Sequence, residues 1–439
     1  MAGGTWITQT KPRPGAYVNF IAAAEDNTGI ASRGVATMPL VLNWGPEEEV
    51  VEILSTDLAD GNAVAKIGYG VSAAESLLFR ECLKHCYKLL AYRVNSGGDE
   101  ATATLGNLVA TAKYPGTRGN DLSVAVLTAS AAFDVVTYLD GAEMDRQWVS
   151  SIDALVTNDW VVFSGEGVLA AVAATDLELG TNGTSDLTAY QTYMELMKTY
   201  DWQVMGFPVE VSGLPAAAET FIREMRESLG KKVQAVVYND AADYEGIIST
   251  KQGYETESET ISATDFVAWA TGATAGAAIS DSNTYKEISG AVGIVNPLSD
   301  AEIETALAQG FMVVSRRTDG VIVIEQDINT LITFDTDKSS AFRKNRFIRT
   351  VDEISNSITR LFENSFIGKI SNNAAGRDLF RQALVKYLAT VQDADAIQNF
   401  DDAEITVTQG TDADSVIVSL AIQPVDSMEK LYMTVEVNG

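Results

Sequence analysis

One histidine, His85, and two cysteines, Cys82 and Cys86, are the chain's whole supply of imidazole and thiol groups. These side chains most readily serve as nucleophile, general base or soft metal ligand near neutral pH. A Ser-His-Asp arrangement would have to be built on His85. Cys82, His85 and Cys86 could also supply half of a metal site, which carboxylates would have to complete. Two cysteines at i, i+4 on an apolar face describe a packed core as well, and that preferred reading makes His85 structural. Nucleophile elbows, Walker loops and dinucleotide fingerprints are missing from the sequence. No catalytic residue, metal or cofactor is therefore expected. Residues 114–121, Tyr-Pro-Gly-Thr-Arg-Gly-Asn-Asp, have the small residues of an anion-binding nest. A turn that fixes neighbouring domains or subunits is the preferred reading there. The run Glu47, Glu48, Glu49 reads as a solvated face.

The elements that would position these residues follow from hydrophobic period and turn chemistry. Residues 11–15, Lys-Pro-Arg-Pro-Gly, are stiff and donor-poor, and Ala16, Val18 and Phe20 then share a strand face, so the chain opens as an extended arm ending in a strand. Residues 39–44 read as a strand, and residues 73–93 as one helix with Leu77, Leu78, Cys82, Cys86, Leu89 and Leu90 on a face, outside the α/β region. After the boundary signal at residues 95–99, short Ala-, Thr- and Val-rich runs indicate an all-β insertion. Strands at 160–163, 204–207 and 233–238 alternate with helices through Leu187–Met197 and from Pro215 to Gly230. Ser299 with Glu302 forms a capping box, stapled by Leu298 and Ile303, and a hairpin turns at residues 318–320. This alternation predicts a largely parallel sheet covered on both faces. Two more helices run through Ile354, Ile358 and Leu361 and through Leu379, Ala383, Tyr387 and Val391. Strands at 405–408, 416–422 and 431–437 close the chain.

Length and charge narrow the function. A chain of 439 residues exceeds one hydrophobic core. Its 31 basic against 60 acidic residues, net −29, disfavour phosphate backbones and anionic headgroups as partners. No apolar run suits a bilayer, the first residues lack a secretion signal, and two cysteines make no disulfide framework, which fits folding in the cytoplasm. Residues 336–390 reverse the balance, with ten basic residues facing five acidic ones. Their aromatics fall at core positions rather than as stacking platforms. A basic stretch on an otherwise acidic chain is complementary to copies of itself and suits a self-assembling lattice. Strand-forming ends would serve the same purpose by adding to a neighbour's sheet. Periodicity alone equally allows both end strands to pair within their own chain.

Several separated stretches resemble the contractile tail sheath family of myovirus-type phages, prophages and phage-tail-like bacteriocins. Residues 13–20 (Arg-Pro-Gly-Ala-Tyr-Val-Asn-Phe) resemble the family's N-terminal arm, and residues 114–121 a loop of its β-sandwich. Residues 327–331 (Asp-Ile-Asn-Thr-Leu), 344–349 (Lys-Asn-Arg-Phe-Ile-Arg), 366–369 (Phe-Ile-Gly-Lys) and 372–377 (Asn-Asn-Ala-Ala-Gly-Arg) resemble the run into its C-terminal domain, and residues 424–433 its last strand.

That resemblance implies an α/β and α+β multidomain protein. It would have a discontinuous α+β assembly domain, an inserted β-sandwich, and a subtilisin-like α/β domain lacking a catalytic triad. The implied boundaries are an arm at 1–20, the first part of the assembly domain at 21–95, the sandwich at 96–180 and the α/β domain at 181–335. A C-terminal tube-facing part at 336–439 ends in a second arm. Strand exchange between subunits would use Tyr17, Val18, Asn19, Phe20, Leu431, Tyr432, Met433 and Val435. Contacts to the tube or lattice would use Arg343, Lys344, Arg346, Arg349, Lys369 and Arg377. The implied partners are further copies in stacked rings, a tail tube protein, and baseplate and tail terminator proteins, with neither direct nucleic acid contact nor membrane insertion. The implied function is a non-enzymatic sheath that polymerises on the tube and contracts to drive it through a cell envelope. It would be made in a bacterial host's cytoplasm and reside in the particle tail. A static surface-layer or shell protein, or a hydrolase with an unrecognised site in the α/β domain, stays open.

Overall fold

The computed structural model describes residues 33–437. Within the first 32 residues it describes the backbone of one parallel pair, Gly3–Gly4 with Ala16–Tyr17. Contacts divide the chain into two compact units. One holds Ser32–Asn356 with the residues from Pro424, and the other holds Ser357–Gln423 with Met1–Ala31.

The larger unit is organised by a seven-stranded sheet. Its contributors begin with β1 (Val35–Leu40), β2 (Val50–Leu54), helix α1 (Leu77–Leu83) and β3 (Lys88–Arg93). The chain then leaves for a β-sandwich built from β4 (Thr102–Leu105), β5 (Leu108–Ala112), β6 (Leu122–Ala129), β7 (Ala132–Leu139), β8 (Ala142–Val149), β9 (Val161–Gly165) and β10 (Val172–Asp176). It returns through α2 (Leu187–Met197), β11 (Val204–Gly206), α3 (Leu214–Arg223), β12 (Gln234–Tyr238), β13 (Ile247–Thr250), α4 (Phe266–Gly276), α5 (Asp300–Ala308) and β14 (Phe311–Met312). The strand order is β14-β13-β12-β11-β1-β3-β2, parallel throughout except for β2 at its edge.

Strand period explains how this sheet is covered. Ala36, Met38, Leu89, Ala91, Val236 and Ile248 point to one face, under α1 and α4. Val35, Leu90, Tyr92, Ala235, Val237 and Ile247 point to the other, under α2 and α3. Helix α4 is buried all round, as its apolar sequence requires. Gly272 and Gly276 let α1 approach its backbone: a Cβ at either position would lie 2.0 Å from the Cys82 carbonyl oxygen or 1.8 Å from that of His85.

The sandwich packs sheet β8-β7-β6-β10 on sheet β9-β5-β4, antiparallel throughout. Its core includes Leu105, Leu108, Val124, Val135 and Val161. Trp44, from the loop after β1, plugs one end against Trp160 with ring centroids 5.4 Å apart.

Three expectations are corrected here. The segment 73–93 is not one helix: α1 stops at Leu83 and residues 88–93 form a central strand. A continuous apolar run has no period that distinguishes a buried helix from a buried parallel strand. Strands from 35–93 hydrogen-bond directly into the same sheet as those from 204–312, so His85 does not lie outside the α/β region. Residues 161–165 belong to the sandwich rather than to the alternating region. The capping box at Ser299 and Glu302, the staple pair Leu298 and Ile303, and a hairpin of β15 (Val314–Arg316) and β16 (Ile322–Ile324) all form as expected.

Helix α6 (Asn345–Ser365) begins in the larger unit and ends in the smaller. The smaller unit adds α7 (Ala374–Asp393) and the hairpin of β17 (Thr406–Gln409) and β18 (Val416–Ser419). Phe380 packs on Phe362 and Phe366 at 5.1 and 4.7 Å, and the Arg381 guanidinium donates to the Ile405 carbonyl at 3.0 Å.

Candidate functional site

The residues best suited to catalysis are absorbed by the core. Cys82 and Cys86 are both buried and free, with sulfurs 3.6 Å apart. His85 stands edge-on to Trp269 at 4.8 Å. Burial foremost, then the charges of Lys286 and Lys84, lower its pKa to about 4. The imidazole is therefore neutral in the fold at pH 7. Protonation favours the unfolded chain, whose histidine titrates near 6.5, so His85 stabilises fully above that pH and progressively less as pH falls towards 4. About 2 kcal/mol should be lost between pH 7 and pH 5 from this residue. Urea unfolding at the two pH values checks this, because His85→Gln should remove that part of the slope. Among the described residues no group of three His, Cys, Asp or Glu side chains could hold a metal, and no helix is long and apolar enough to cross a membrane.

Residues 114–121 form a docking turn. The Arg118 guanidinium donates to the Gly68 carbonyl at 2.8 Å and to Asp121 and Asp140 at 2.9 and 2.7 Å, and it stacks over Tyr69 at 4.2 Å. Arg93 donates to the carbonyls of Gly45 and Pro115. Gly116 has φ +139°, and a Cβ there would lie 2.0 Å from the Asn43 carbonyl oxygen, so this contact needs glycine. The turn thus fastens the sandwich to the sheet's loops, with its arginine satisfied internally rather than open to an anion. Glu47 is not wholly solvated: it lies 3.7 Å from Arg93 and accepts from the Gly97 amide.

The basic residues after 336 separate into two groups. Arg349, expected to contact a tube or lattice, is buried in the single chain. Its Nη2 donates to Asp327 at 2.6 Å and to the Asp281 carbonyl at 2.7 Å. Asp327 also accepts from the Asn283 amide and from Asn345, both at 2.9 Å. Burial pushes the Asp327 carboxyl up, but Arg349 and these hydrogen bonds outweigh it and hold it below the usual carboxylate range. Two further pairs fix the first turns of α6, Asp352 with Arg226 at 2.5 Å and Glu353 with Arg33 at 3.8 Å. Lys344 pairs with Glu429 and Lys338 with Glu245. Lys338, Lys344 and Arg349 are therefore neutralised by carboxylates of their own chain. Arg343 and Arg346 are half-buried, and Nε and Nη2 of Arg343 have no hydrogen-bond partner among the described residues. Lys369 is exposed, while Arg377 is half-buried and donates to Asn372.

The chain's end differs from the rest. Residues 431–437 form no strand and no hydrogen bond among the described residues, although their apolar positions alternate. Leu431, Tyr432, Met433, Val435 and Val437 are 84, 88, 73, 66 and 87% exposed. The expected last strand thus does not form among the described residues. The backbone of Tyr17 pairs with that of Gly4, and Val18, Asn19 and Phe20 lie outside the described residues. Sequence reasoning missed Asp327 as the centre of a buried ion cluster and Glu429 as a partner of Lys344, because both pairings are remote in sequence.

The chain thus places a β-sandwich within a mixed α/β multidomain body, and among the described residues its apolar end has no strand partner. Four family models cover the chain in order. They are the Gp18 tail sheath domain III N-terminal region over residues 33–94, the phage tail sheath β-sandwich domain over 96–182, the phage tail sheath central domain over 180–330 and the phage tail sheath C-terminal domain over 337–438. The phage-like element PBSX protein XkdK of Bacillus subtilis (strain 168) is 33% identical over 470 residues, covering 100% of both chains. The crystal structure of a sheath tail protein from Desulfitobacterium hafniense superposes with TM-score 0.85 at 38% identity, covering 94% of this chain and 98% of that one. The contracted helical sheath of the anti-feeding prophage shares the fold, with TM-score 0.58 at 10% identity over 96% of this chain and 98% of that one. The chain belongs to the contractile phage tail sheath family. It is a structural sheath subunit and not an enzyme.

Proposed function

We propose that the chain polymerises head to tail around a tail tube, exchanging terminal strands between copies, and shortens as a lattice to drive the tube through a cell envelope. The carrying observation is the C-terminal segment: five apolar side chains in seven residues, exposed and without a backbone partner among the described residues. An unpaired segment of this composition is an aggregation hazard in a monomer and a ready strand for a neighbour's sheet. Such a contact, repeated without closure, generates a ring or a helical filament.

On this reading Leu431, Tyr432, Met433 and Val435 are donated to another copy, with Tyr17, Val18, Asn19 and Phe20 as the second donated strand. Residues 336–439 face the tube, with Arg343, Lys369 and Arg377 as the basic groups best placed to meet an acidic surface, and the α/β body corresponds to a subtilisin-like domain without its triad. Partners are further copies, the tube, the baseplate and the terminator, after synthesis in a bacterial cytoplasm. Contraction needs no nucleotide: a few kcal/mol between two packings per copy, summed over many copies, suffices. Negative-stain microscopy of the purified protein tests the reading. Hollow striated tubes support it, and dispersed monomers at every salt concentration contradict it.

A further inference from the structure

The unpaired segment leaves the body at one well-defined point. Glu429, two residues before it, is largely buried and turned inward. Its Oε1 accepts from the Thr284 hydroxyl at 2.9 Å and from the Ser427 hydroxyl at 3.1 Å, and its Oε2 accepts from Lys344. Met428 and Leu431 on either side are exposed, so this carboxylate is the main polar attachment of the stretch.

Its partners are tied to the buried cluster. The Thr284 hydroxyl accepts from the Asp327 amide at 2.9 Å, and the Asp327 carboxylate holds Arg349 and Asn345 at the start of α6. Lys344 directly precedes that helix. A continuous chain of hydrogen bonds therefore runs from the base of the C-terminal segment into the first turn of α6, charge-assisted at the Glu429 and Asp327 carboxylates and neutral where the Asp327 amide meets Thr284. Charge-assisted bonds of this kind are about twice as strong as neutral ones.

We propose that Glu429 is the anchor of the C-terminal segment, a positioning residue that fixes where the segment leaves the body and passes any pull on it into α6 through Thr284 and Lys344. The strand-donation part of this inference rests on the function proposed above; the anchoring itself concerns the single chain. In an assembled polymer, a donated strand without an anchor would let the copies drift apart along the slack. With the anchor, a displacement of the neighbour is delivered to a buried ionic cluster that cannot stretch.

Trypsin cleavage after Lys430 in the monomer reads the anchor directly, and cleavage after exposed Lys369 serves as an internal reference. Lys344→Met and Thr284→Val leave the sequence around Lys430 untouched. Each is expected to speed cleavage there relative to Lys369, by about tenfold for Lys344→Met, because cleavage requires local release of the stretch. Circular dichroism matching the unaltered chain confirms that each variant is folded, and Thr284→Val carries the test if Lys344→Met is not. An unchanged cleavage ratio in folded variants overturns the anchor and leaves strand donation standing. Normal tube formation by a chain ending at Lys430 overturns strand donation whatever the trypsin result.

Discussion

A chain ending at Lys430 is expected to remain a folded monomer and to form no tubes. Residues 431–437 make no hydrogen bond among the described residues, so removing them deletes almost nothing from the isolated fold. The thermal midpoint and the circular dichroism spectrum should match those of the full chain. In the polymer the same residues would contribute several main-chain hydrogen bonds, each worth about 0.5–1.5 kcal/mol, and four alternating apolar anchors. Loss of a few kcal/mol at every contact removes a polymer altogether, since each copy must make that contact. Sedimentation velocity with microscopy checks the prediction: full-length tubes from the shortened chain would sink it.

Asp327→Asn should produce the largest loss of monomer stability, about 3–5 kcal/mol, because it leaves the Arg349 guanidinium buried without its counter-charge. Among the described residues Nε and Nη1 of Arg349 have no hydrogen-bond partner, and its Nη2 bonds Asp327 and the Asp281 carbonyl. The sign with pH follows from the depressed carboxyl. Its stabilising effect is present in full above the unfolded value near 3.9 and disappears as pH falls through the lower folded value. Urea unfolding should therefore show a constant gap between variant and unaltered chain from pH 6 to 8, closing below about pH 4. Equal stability at pH 7 would mean that the cluster is better solvated than its burial implies.

Local chemistry made much of this fold readable in advance. The cap at Ser299 and the period of Leu187–Met197 are signals written in nearby residues, and each forms where expected. Helix and strand could not be separated in residues 77–93, where burial on both faces erases the period, and tertiary pairing with β1 decides for the strand. Charge was legible as a sum but not as a pattern. Ten basic residues after 336 suggested an outward-facing surface, yet Lys338, Lys344 and Arg349 find Glu245, Glu429 and Asp327, partners that no spacing rule links to them. Conversely, the alternation at 431–437 suggested a strand, yet among the described residues this segment forms none and finds no hydrogen-bond partner.

The most direct test of strand donation is an electron cryomicroscopy map of the assembled tube, traced through the C-terminus. Backbone density for residues 431–437 should run as a strand hydrogen-bonded to a sheet of a neighbouring copy, entering from Glu429 seated on Lys344. Density that folds back to pair within its own chain, or a lattice held together without this segment, would contradict it.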